Sequence, residues 1–258
     1  MYQPSTQKTS FYKRAQAITV LIASVMISFG SWNDTKELLT EVYDSGISNF
    51  TNNVEFSHLD NVKFGGNLDF MEQTFGIAKV IKHSTTAPNL EYRYYTDRKY
   101  ILAVATQKKR IIAYQVVSLN SAFDPSLPFS TLKLGSFSYS KYADNFDEFR
   151  LDSANITYYM ESHSLGRAGL FLNEYLAYVG YGAEYSESKK SISVNKQTIG
   201  DLDKALLESN KTNIKILLKK LRNDIRPNVF VIGDIDAPTA ADMLLTRYEY
   251  AVYFKDQL

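Results

Sequence analysis

Gly65-Gly66-Asn67-Leu68-Asp69-Phe70-Met71-Glu72-Gln73-Thr74-Phe75-Gly76 opens the stretch, running on to Leu119, from which the fold can be read. The paired glycines predict a turn. Asn67 then caps a short helix over residues 68–74, with Asp69 in its first turn and Gly76 closing it. Four strand-like runs follow: Ala78 to Lys82, Tyr92 to Tyr95, Tyr100 to Thr106 and Ile111 to Leu119. Lys108, Lys109 and Arg110 make a short polar turn between the last two, which predicts a hairpin. The local pattern is one helix followed by an antiparallel meander.

This order resembles the small outer-membrane-assembly lipoproteins, whose fold is shared with β-lactamase inhibitor proteins. The resemblance rests on Leu68 to Gly76, Tyr94-Tyr95, Ile101-Leu102-Ala103-Val104 and Arg110-Ile111-Ile112-Ala113-Tyr114. It implies an envelope-located binding or scaffolding module without catalytic residues. The chain departs from that family in its greater length and in having no lipid-bearing Cys. The full layout also resembles an uncharacterised family of bacterial single-pass membrane proteins.

Toward the C-terminus, the proline-punctuated Asp124-Pro125-Ser126-Leu127-Pro128 separates this module from a second α+β block. Alternating aromatics in Phe137-Ser138-Tyr139, then Tyr158-Tyr159 and Tyr175 to Val179, predict further strands, with a turn at Gly166-Arg167-Ala168-Gly169. Asp201 to Asn223 predicts one long helix, striped by Leu202, Leu206, Ile214, Leu217, Leu218 and Leu221 and ended by Pro227. Val229 to Gly233 is a short apolar strand. A last helix starts near Pro238 under an Asp236 cap, with Leu244, Leu245, Tyr248 and Val252 facing inward.

Toward the N-terminus, residues 15–32 carry no charge. As a helix they would span roughly 27 Å, close to a thin hydrocarbon core. Ala15, Ile18, Val20, Leu21, Ile22, Val25, Met26, Ile27 and Phe29 supply the apolar surface, and Trp32 the interfacial ring. Lys8, Lys13 and Arg14 precede the segment, while Asp34, Glu37, Glu41 and Asp44 follow. The positive-inside rule then puts the N-terminus in the cytoplasm and the bulk outside, at the inner membrane. The rivals are a cleaved signal peptide, with small residues around Ser28-Phe29-Gly30, and a buried core helix. The uninterrupted helical pattern through Trp32 to Tyr43 favours a retained anchor. The organisation expected is a cytoplasmic tail (1–14), anchor (15–32), juxtamembrane helix (33–50), helix–meander module (51–124) and second module (129–258).

The chain has no Cys, which excludes disulfides, thiol catalysis and Cys-ligated metal. A net charge of +1 gives no global pull toward nucleic acid. Histidines occur only at 58, 83 and 163, none at metal-ligand spacing. Glu161-Ser162-His163 suggests an acid–base pair, which strand alternation is taken to split between opposite faces. Asp234 and Asp236 follow a strand, where two carboxylates can bind Mg²⁺ or Ca²⁺, although helix capping alone selects Asp236. No phosphate loop or nucleophile elbow is present. Neither a metal nor a cofactor is expected.

Two surfaces remain as binding candidates. Lys211, Lys215 and Lys219 recur at four-residue spacing, with Lys220, Arg222 and Arg226 nearby, and would meet an anionic partner if they do not merely face solvent. Tyr158, Tyr175, Tyr178 and Tyr181 form the densest aromatic region, a binding face or, preferably, the inside of a sheet. The expected function is a membrane-anchored, non-catalytic envelope binding, scaffold or sensor protein. Its partners would be membrane lipid and a second protein or envelope polymer. The alternatives are a membrane-linked effector or defence accessory, self-associating through Ser24 and Ser28, and a metal-dependent hydrolase using Asp234, Asp236 and His163.

Overall fold

The computed structural model describes residues 51–184 and 187–254. The chain divides into two compact units, Met1–Ser57 and His58–Leu258. The predicted anchor and juxtamembrane helix lie outside the described residues. Among those described, no helix is long and apolar enough to cross a membrane.

After α1 (Asn53–Leu59), α2 (Leu68–Phe75) forms as its caps dictate. The Asn67 side chain accepts from the Asp69 N–H, and Gly76 takes a φ of 71°, which a side chain would strain. Four antiparallel strands follow: β1 (Val80–His83), β2 (Glu91–Thr96), β3 (Tyr100–Gln107) and β4 (Arg110–Ser118). Lys108 and Lys109 both have positive φ, the geometry of a tight hairpin whose twist matches its strands.

The second block departs further from its pattern. Phe137-Ser138-Tyr139 is not a strand; Tyr139–Tyr142 forms the single-turn helix α3. β5 (Glu148–Asp152) is a polar edge strand, followed by β6 (Tyr158–Ser164) and β7 (Asn173–Val179). A helical turn, α4 (Gly180–Ala183), leads to α5 (Lys189–Leu207) and α6 (Lys211–Asp224). The one helix expected over 201–223 is therefore two. Ser209 breaks it at φ 53°, and Asn210 caps the new start by accepting from the Asn213 N–H.

β8 (Val229–Gly233) then enters the sheet between β4 and β7, giving the order β1-β2-β3-β4-β8-β7-β6-β5 with every pairing antiparallel. Strands from both halves of the sequence thus share one eight-stranded sheet. α7 (Ala237–Asp242) and α8 (Arg247–Tyr253) complete the described chain.

Each face has its own cover. On the front face, Tyr92, Ala105, Ala113, Gly233 and Asn173 form one cross-strand row, and Tyr94, Ala103, Gln115, Val231 and Tyr175 the next. The small residues in the middle admit a close-packed layer, with Ala237, Ala240, Met243, Leu244, Leu245 and Tyr250 joining them in the core. Tyr94 donates to the Met243 carbonyl at 3.0 Å and Tyr175 to that of Ile235 at 2.5 Å, fixing this layer across the sheet. Tyr248 and Val252, expected inside, are 77% and 55% exposed, because α8 starts anew under a Thr246–Glu249 capping box and turns Tyr250 inward. On the back face, Tyr95 donates to Glu72 of α2, and Arg222 of α6 reaches Glu161 of β6.

Candidate binding cleft and buried acid cluster

At the sheet end where β8 runs out, an open cleft of about 590 Å³ is lined by residues 86–90 and by Gln107, Ile112, Asn173, residues 234–236 and Thr239. The loop between β1 and β2 makes one wall and the start of α7 the other. Asp242 staples the walls together. Its carboxylate accepts from the Thr85 N–H (2.8 Å), the Thr85 hydroxyl (2.7 Å), the Ser84 hydroxyl (3.1 Å) and the Tyr92 hydroxyl (3.0 Å). Burial raises the pKa of Asp242, but the donors from Thr85, Tyr92 and Ser84 overcome it and hold the group below its ordinary value. Behind it, Glu249 sits 3.3 Å from Lys82. Burial opposes its charge too, and the Thr246 N–H and Lys82 hold its pKa low.

Asp234 and Asp236 both lie in this cleft and are exposed. Asp236 caps α7 by accepting from the Thr239 N–H at 3.0 Å, and the Thr239 contacts lower its pKa. The lowered pKa of Asp236 keeps that carboxyl ionised at neutral pH. His163 does not line the cleft, so the structure does not assemble Asp234, Asp236 and His163 into one site. Among the described residues, no group of three or more His, Asp or Glu side chains is placed to hold a metal ion. What the cleft offers is acceptors (two carboxylates), amides from Asn89, Gln107 and Asn173, and the hydroxyls of Thr86 and Thr239. Such a set recognises ammonium groups and hydroxyls.

His163 lies instead in a buried polar cluster on the back face. Glu161 and His163 are two residues apart, so strand alternation puts them on the same face and not on opposite ones. His163 Nε2 is 3.6 Å from Glu161 Oε2. Glu161 is fully buried, accepting from Arg222 Nε at 2.7 Å and from the Tyr159 hydroxyl at 2.6 Å. Arg222 also donates to the carbonyls of Ala143 and Asp144. Across the strand pair from His163, Glu174 is also fully buried and accepts from the Tyr142 hydroxyl. Its other oxygen has no hydrogen-bond partner among the described residues, and burial raises its pKa. These groups suit proton transfer chemically. A substrate has no route to them: the side chains of His163 and Glu161 are only 9% and 0% exposed. The cluster ties α3 and α6 to the sheet.

The remaining sequence candidates separate. Tyr158, Tyr175, Tyr178 and Tyr181 are all buried, Tyr175 and Tyr178 on opposite faces, so they present no aromatic surface. Lys211, Lys215, Lys219 and Arg226 are exposed, whereas the Arg222 side chain is 12% exposed and ion-pairs with Glu161. His83 is exposed on β1, and His58 stacks edge-on to Phe75 with centroids 6.1 Å apart. Sequence reasoning missed Glu174, whose signal was a lone acid directly before the apolar run Tyr175 to Val179. It also missed Asp242's partners, which lie about 160 residues upstream in the β1–β2 loop, beyond any local pattern.

No family model and no curated protein sequence matches the chain. Among solved structures it is similar to an extracellular protein containing an SCP domain from Bacillus anthracis str. Ames. The identity is 10% and the TM-score 0.34, with 69% of this chain and 46% of that one covered. The match spans less than half of that neighbour, a likeness too slight to transfer fold or function.

Proposed function

We propose that the chain is a non-catalytic binding protein of the cell envelope. Residues 15–32 anchor it in the inner membrane with the N-terminus in the cytoplasm. The sheet region lies outside and takes a polar ligand in the cleft beside Asp234 and Asp236. The observation that supports this reading most is the cleft itself, which gathers acceptors, amides and hydroxyls at one end of the sheet. Ligands of matching chemistry carry ammonium and hydroxyl groups, as envelope glycan–peptide fragments do. Resemblance of residues 65–119 to an envelope binding module points the same way.

Two experiments test it. Calorimetry with the full-length protein and a soluble cell-wall disaccharide-peptide should show binding that Ala87→Trp, which fills the cleft, and Asp234→Asn both abolish without loss of thermal stability. Binding unaffected by either substitution would remove the cleft from the reading. For topology, the absence of native Cys allows single Cys residues at Ser5 or Ser121 to be probed in intact cells with an impermeant maleimide. Labelling at Ser121 alone is expected; labelling at Ser5 alone would put the sheet region in the cytoplasm.

A further inference from the structure

α6 is two-sided. Its inner side carries Leu221, fully buried, flanked by the half-buried Ile214, Leu217 and Leu218. Its outer side carries Lys211, Lys215, Lys219 and Lys220, all exposed and none with a hydrogen-bond or ion-pair partner among the described residues. Amid these lysines Ile216 stands 61% exposed, and Leu207, at the end of α5 just before the turn into α6, is 82% exposed. Like charges four residues apart repel along a helix, and an exposed Ile gains nothing from water, so fold stability selects neither. Uncovered apolar side chains framed by lysines are the pattern of a helix that lies in a membrane interface.

We propose that the outer side of α6, with Leu207, is a docking surface for an anionic lipid bilayer. The lysines would meet headgroup phosphates, and Ile216 and Leu207 would enter the boundary below them. Charge complementarity carries the choice of occupant, and the two exposed apolar residues separate a bilayer from a nucleic acid, which rewards cations without rewarding Ile. An uncharged segment at residues 15–32 would keep such a surface at high local concentration; for that proximity alone the inference rests on the anchor reading. Each lysine at an anionic surface is worth about fivefold in partitioning.

The test again exploits the absence of Cys. Full-length Ile216→Cys, labelled with an environment-sensitive dye, is placed in lipid nanodiscs made of neutral phosphatidylcholine or including anionic phosphatidylglycerol. Emission should shift to the blue in the anionic disc only and return in high salt. It should also be lost in the background Lys215→Gln, Lys219→Gln, Lys220→Gln, whose thermal stability should equal or exceed the parent's. Identical emission in both discs overturns the proposal. So does a shift on adding duplex DNA that neither disc produces, which would reassign the lysines to a soluble polyanion. Failure of the anchor appears separately, as loss of co-elution with neutral discs, and leaves flotation with anionic against neutral vesicles as the readout.

Discussion

In the front-face layer the carboxylate of Asp242 collects donors from Ser84, Thr85 and Tyr92, whereas on the back face that of Glu174 has Tyr142 alone. Burial opposes charge at both. Asp242 ends below its ordinary pKa and Glu174 above it. The difference lies in how many donors the neighbouring loops supply, because a hydrogen bond to the ionised form offsets desolvation and one such bond does not suffice deep inside. Glu161 is as buried as Glu174 but is paired with Arg222 and Tyr159. Front-face acids therefore hold the fold together by being charged, and the back face tolerates its acids only through partners.

The largest effect should come from separating Glu161 from its partner. Arg222→Ala leaves a buried carboxylate without its cation and should cost about 3–5 kcal/mol in urea unfolding. Replacing both members by apolar residues of similar size should recover most of that; no recovery would mean that the backbone contacts of Arg222 to Ala143 and Asp144 matter more than the pair. Next, Gly233→Ala should cost about 3 kcal/mol, since its Cβ would sit 2.4 Å from the Ile112 carbonyl oxygen and 2.3 Å from the Ala113 Cβ. A tolerated alanine would show that the small-residue row under α7 is not sterically fixed.

Asp242→Ala should cost about 2 kcal/mol, allowing for its partial exposure. The loss should be present above the unfolded carboxyl pKa of about 4 and fade as pH falls below it, because a lowered folded pKa stabilises only the ionised protein. Glu174→Gln should act in the opposite sense and least, by about 1 kcal/mol. A raised folded pKa favours the fold at low pH and that contribution is lost as pH rises through it, so the variant should gain on the parent at neutral pH and match it below about pH 4. Parallel pH profiles for the two variants would erase the contrast between the faces.

Cap and tight-turn signals were legible in the sequence, whereas the short aromatic alternation at Phe137-Ser138-Tyr139 misled. Asn67, Gly76 and the Lys108-Lys109 turn each satisfy a need within a few residues, and α2, the β3–β4 hairpin and the Asp236 cap appear where those residues put them. The break at Ser209 was hidden because the apolar stripe continues across it and the left-handed residue is not a glycine. β5 was hidden because an edge strand with Glu148 and Arg150 exposed shows no apolar run. At the site, Asp234 and Asp236 could be singled out locally, but the loop opposite them is brought there by sheet order, which no local pattern encodes. Arg222 looked like a member of the lysine row by spacing; only its reach to Glu161, 61 residues away in sequence, distinguishes it.

The place of β8 also sets an order of events. β1 to β4 pair with their neighbours in sequence, and so do β5 to β7, so each meander can form soon after its residues are made. The pairs β4–β8 and β8–β7 wait for residues 229–233. Until then the nascent chain is two half-sheets, each with an apolar strand open along one edge, at β4 and at β7. Such edges recruit other chains, so the interval before the eighth strand arrives is when this protein most needs a chaperone or rapid release.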